Sequence, residues 1–183
     1  MTFNRRTALL AACSGLLAAH PLATLAQGQA PKTIGWDDLL PKNWNPWADF
    51  QTGGLDLRNL SDDDPRAAEA LRRLRRIWDD APLNAAMDGA LIRLPGYVVP
   101  LEETAQGLRE LLLVPHYGAC IHTPPPPANQ ILHVLLDKPM KSLSTMDTVW
   151  VSGPLKARRA TSVHGVSGYQ LAATKVERYA PGR

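Results

Sequence analysis

Cys120 and His122 are the side chains of this sequence whose types and spacing most directly suggest chemistry. They lie in the stretch Gly118-Ala119-Cys120-Ile121-His122-Thr123-Pro124-Pro125-Pro126-Pro127-Ala128-Asn129-Gln130. The run of prolines holds the backbone extended and stiff. On an extended segment, residues two apart point the same way. Thiolate and imidazole therefore converge, and this soft and borderline donor pair suits zinc or copper. A tetrahedral shell needs further ligands. His116, four residues upstream of Cys120, and Glu102 are the candidates, with Glu103, His133 and His164 also in supply. None of them stands at a diagnostic spacing. Two converging ligands suit a transfer site better than a closed structural one.

Two other readings of the same residues stay open. A histidine beside a cysteine favours the thiolate, which would make Cys120 the nucleophile of a hydrolase or a thiol–disulfide enzyme. Against this, no orienting Asn or Asp stands at an informative spacing, and no resolving cysteine is present. The third reading is structural. Free cysteine is among the most buried residue types, so Cys120 would pack while His122 and Asn129 bond the backbone around the prolines. The alternation Leu132-His133-Val134 points His133 toward solvent, and His164 falls in an exposed Ser/Gly loop.

The elements that must position these residues are mostly strands. Ala90–Pro100 reads as a strand with a kink or bulge at Pro95-Gly96, followed by Glu110–Val114, Gln130–Leu136, Thr148–Val151 and Tyr169–Arg178. Five short strands rich in Val, Ile and Leu predict a mainly β fold, a small antiparallel OB-like barrel. One helix precedes them. Asp64 caps it, Pro65 takes its first position, and Ala67, Leu71, Leu74 and Trp78 form its apolar face. Its arginines are offset locally by acidic residues, with Arg75 and Arg76 each four residues before an aspartate, Asp79 and Asp80. Further upstream, Trp36, Leu39 and Leu40 make one helical turn, and Trp44, Trp47 and Phe50 form an aromatic cluster that clips an irregular arm onto the core. Gln51–Leu60 reads as a loop.

The first 26 residues carry an address rather than fold. Arg5 and Arg6 precede the apolar run Ala8–Ala19, and Thr24-Leu25-Ala26 offers small residues before Gln27. The run is too short for a membrane span. Asn4-Arg5-Arg6 is similar to a twin-arginine export signal, and Leu10-Ala11-Ala12-Cys13 to a lipoprotein signal that would acylate Cys13. Cleavage before Gln27 leaves Cys120 without a partner in an oxidising compartment. It also lowers the net charge from +3 to +1 by removing Arg5 and Arg6. A nearly neutral chain has no basic face for nucleic acid. The expected organisation is an export signal over 1–26, a Trp-rich arm over 27–60, and a helix-plus-barrel domain over 61–183.

Three stretches together resemble a bacterial family catalogued as domain of unknown function 3299: Leu94–Glu102, Leu112–Pro115 and Gly118–Gln130, with Trp150-Val151-Ser152-Gly153 and Gly168-Tyr169 behind them. The resemblance runs from Trp36 to about Tyr179. It implies an exported protein, periplasmic or lipid-anchored through Cys13, with a metal-handling role beside an ABC-type permease linked to zinc supply. The implied cofactor is zinc, and the implied partners are the permease or a periplasmic metal-binding protein. No enzyme activity comes with the resemblance. The motif's cysteine and histidine fall on Cys120 and His122, whereas His116 stands where an aromatic residue is expected. Asn129, Tyr97 and Trp150 lie in the matching stretches and are the remaining candidate binding residues. An interaction module that contacts a transporter through the Trp-rich arm, with no metal, is the alternative outside metal and thiol chemistry.

Overall fold

The computed structural model describes residues 29–45, 64–116 and 125–179. Its strands are β1 Lys32–Thr33, β2 Leu91–Thr104, β3 Gly107–Val114, β4 Leu132–Met140, β5 Thr148–Lys156, β6 Ala160–Ser162, β7 Gly165–Ser167, β8 Tyr169–Ala173 and β9 Lys175–Arg178. Five of them close a barrel in the order β2-β3-β4-β8-β5 and back to β2. That ring, with its third and fifth strands adjacent, is the connectivity of an OB-type barrel. The expected five-stranded, OB-like barrel is therefore present, with one difference. β4 and β8 run parallel, Leu132 beside Tyr169 and Leu136 beside Ala173, so the barrel is mixed rather than wholly antiparallel.

Alternation along each strand fills the interior. Leu94 and Val98 of β2, Leu111 and Leu113 of β3, Leu132 and Val134 of β4, Val149 and Val151 of β5, and Tyr169 and Leu171 of β8 are all fully buried in one cluster. Long β2 serves two neighbours. Its first half pairs with β5, its second with β3, and Tyr97 takes part in both ladders, opposite Thr148 and Val114. The kink or bulge expected at Pro95-Gly96 does not break the register, since both residues pair regularly with Trp150 and Val149 of β5. The irregular register lies further on, between Pro100 and Glu103. Gly96 is needed for close approach, because a Cβ there would lie 2.7 Å from Leu113 and 2.9 Å from Trp36. The run Tyr169–Arg178, expected as one strand, is broken at Thr174 into β8, which pairs with β4, and β9, which pairs with β5. Thr174 turns the chain by bonding Ser152 O through both its N–H, at 2.9 Å, and its hydroxyl, at 3.1 Å.

Helix α1 spans Pro65–Asp79, with the Asp64 carboxylate accepting from Arg66 N–H at 2.9 Å. Its buried face differs from the expected one. Ala70 and Leu74 are buried with Ile77 and Trp78 against them, while Leu71 is 59% exposed. Leu74 and Trp78 of the expected face are kept, and the helix meets β7 of the β6–β7 hairpin. The predicted pairing of Arg76 with Asp80 is replaced by contacts of Arg72 and Arg76 with Glu69, at 2.7 and 3.5 Å. The helix ends on a clamp: Arg159 donates to Asp79 O, Asp80 O and Ala81 O at 2.6, 3.1 and 2.5 Å.

The N-terminal arm is part of the core. The 3-10 turn Trp36–Leu39 forms where the sequence places a helical turn. Ile34 and Leu39 are buried in the barrel cluster, and Trp36 Nε1 donates to Pro95 O at 2.8 Å. Gln130 returns the contact, its amide donating to Trp36 O at 2.9 Å. Trp47, Phe50 and the Gln51–Leu60 loop lie outside the described residues, as does the export segment.

Candidate functional site

Cys120 and His122 lie outside the described residues. The structure does place the ligands proposed to join them. His116 is exposed just beyond the end of β3, two residues past Val114, which faces Tyr97. Glu102 is also exposed, but at the other end of the same ladder, opposite Glu110. Val114 is four residues on from Glu110 along the strand, about 13 Å at the rise of a strand. His116 and Glu102 are thus not brought together. Among the described residues no three His, Cys, Asp or Glu side chains gather as a metal would require.

The three candidate binding residues have separate surroundings. Asn129 is fully buried in the 3-10 turn Ala128–Gln130 before β4. Its amide donates to Pro82 O at 3.0 Å, while its Oδ1 has no partner. It ties the chain after α1 to the entry of β4. Tyr97 packs on the outer side of the barrel against the buried cluster Val99, Leu112, Val114 and Ile131. Trp150, on the outer side of β5, stacks on Tyr179 with ring centroids 5.5 Å apart and carries the Arg93 guanidinium 4.1 Å from its own centroid. Arg93 in turn lies 3.6 Å from Glu177, whose carboxyl is held below its ordinary range chiefly by its bond to Lys175, with Arg93 adding to the effect.

A different group of residues shares a pocket. On the outer face of β2, β3 and β4, Leu101, Glu102, Glu110, Leu112 and His133 form a floor. The β6–β7 hairpin covers it with Ala160, Thr161, Ser162, Val163 and Ser167, enclosing about 270 Å³. His133 Nε2 lies 2.7 Å from Glu110 Oε2, across the β3–β4 ladder. His133 does not face solvent as the alternation predicts. Its side chain is only 14% exposed, because the outer face of the barrel has its own cover. Its Nδ1 is buried without a partner. The hairpin is braced internally, Ser162 Oγ donating to Gly165 O at 3.0 Å and Ser167 Oγ to Ala160 O at 3.3 Å. His164, expected in an exposed loop, is half-buried in its turn.

Sequence reasoning passed over Glu110. The available signal was a carboxylate opening the strand run Glu110 to Val114, on the same phase as Leu112, with a histidine at the outward phase of the next strand. Strand register, which pairs Glu110 with Leu135 and Leu112 with His133, converts those two phases into a contact.

A family model described as "Protein of unknown function (DUF3299)" matches residues 36–178. Among solved structures, the chain is similar to the crystal structure of a DUF3299 family protein from Pseudomonas aeruginosa PAO1, with 34% identity and a TM-score of 0.66. That match covers 85% of this chain and 100% of the other. A small single-stranded DNA-binding protein from Streptomyces coelicolor is similar at 18% identity and a TM-score of 0.32, over 50% of this chain and 94% of the other, a likeness that carries no argument. No curated protein matches.

Proposed function

This chain belongs to the DUF3299 family, whose function is unknown, and we propose that it is an exported, non-enzymatic accessory protein that binds zinc at Cys120 and His122 and passes it on within an ABC-type transport system. The observation that carries this reading is the Cys-Ile-His spacing just before a run of prolines, which on an extended backbone would point a thiolate and an imidazole the same way. His116 supports it as the third ligand, since it is exposed and only four residues from Cys120. Glu102 does not join His116 as a ligand, because it stands at the far end of the β2–β3 ladder. The fourth place falls to water or to a ligand from the receiving protein, a permease or a periplasmic metal-binding protein. An incompletely filled shell releases its ion to a better-furnished one, which suits a carrier. Export through the Arg5-Arg6 signal puts the protein in the periplasm, with acylation of Cys13 as the route by which it would sit on a membrane.

Calorimetric titration of zinc into the wild type and into Cys120→Ser, with thermal melts of both, tests the reading. Zinc affinity falls at least tenfold in Cys120→Ser while the melting temperature changes little, and wild-type affinity weakens as pH falls because both ligands must shed protons. No zinc binding by the wild type at neutral pH, or a Cys120→Ser variant that loses stability with no zinc affinity to lose, returns Cys120 to a packing role.

A further inference from the structure

We draw no further inference here: the strongest candidate, the apolar groove beside α1 lined by Leu71, Leu74, Trp78 and Pro125 with the arginines Arg72 and Arg75, carries nothing because nothing in the structure shows what covers it.

Discussion

Tyr169 is fully buried, and its hydroxyl is used in both directions. It accepts from Asn84 N–H at 2.6 Å and donates to Leu39 O at 2.8 Å, joining β8 to the arm and to the segment before β2. Phenylalanine at this position keeps the ring and leaves both backbone groups unpaired in the interior. Tyr169→Phe is expected to cost about 1–3 kcal/mol in urea unfolding at pH 7. Burial pushes the phenol above its ordinary value of 10.0, against the weaker opposing pull of the Asn84 N–H and the Arg159 charge. A folded-state value above the unfolded one contributes stability that is complete below pH 10 and is lost as pH rises through the raised value. The melting temperature of the wild type should therefore fall more steeply above pH 10 than that of Tyr169→Phe. Parallel profiles for the two proteins would remove Tyr169 from the alkaline transition.

At the scale of elements, two contacts decide whether the pieces stay together. The first is the seam where β5 runs against the β8–β9 strand. Gly153 of β5 sits on the Ala172 carbonyl so closely that a Cβ would overlap it, and Leu171 is 3.1 Å from the same point. A glycine is required there by proximity alone, since backbone cannot yield as a flexible side chain can. Gly153→Ala should lose roughly 2–3 kcal/mol or more, as overpacking does, and a melt within a degree of the wild type would show that the seam can shift. The second contact is the Arg159 clamp on the carbonyls of Asp79, the last residue of α1, and of Asp80 and Ala81 just past its end. Those carbonyls have no partners within the helix, and a cation at a helix C-terminus is favoured. Arg159→Met keeps the stem and removes the donors, so about 1–2 kcal/mol is expected to go. The loss should appear first as faster amide exchange in α1 rather than in β2–β5, because the helix has few other ties to the barrel.

At the scale of the molecule, the arm and the barrel form one cooperative unit. Ile34 and Leu39 contribute to the same buried cluster as the barrel strands, and Trp36, Gln130 and Tyr169 bond across the junction. A chain beginning at Asp64 forfeits the burial of those two aliphatic side chains, roughly 3–6 kcal/mol, and leaves the Tyr169 hydroxyl without Leu39. Such a truncation should unfold at far lower denaturant than the chain beginning at Gln27, or fail to fold. Equal midpoints by circular dichroism would separate the arm from the core.

The sequence alone was enough to place the local elements, because their signals are local. Asp64-Pro65 opened the one long helix among the described residues where it is found, and the apolar alternation of Ala90–Val99, Glu110–Val114, Gln130–Leu136 and Thr148–Val151 marked strands that the structure lengthens, although β2 begins one residue later and β4 two residues later, after Gln130 has closed a 3-10 turn. Strand number and pattern were sufficient for a barrel. What the alternation leaves open is which strand lies beside which, since the period of a strand is the same whatever its neighbour. Only pairing across the barrel decided that β4 and β8 run parallel, that Thr174 divides the last strand, and that the irregular register falls at Pro100–Glu103. The same holds for the sites. Cys120 and His122 could be singled out as candidates because they are two residues apart in the chain. Glu110 and His133 stand 23 residues apart, and alternation assigned His133 to solvent. Their contact and their cover depend on a ladder register and on a hairpin folded back from beyond β5, which is tertiary information with no local trace.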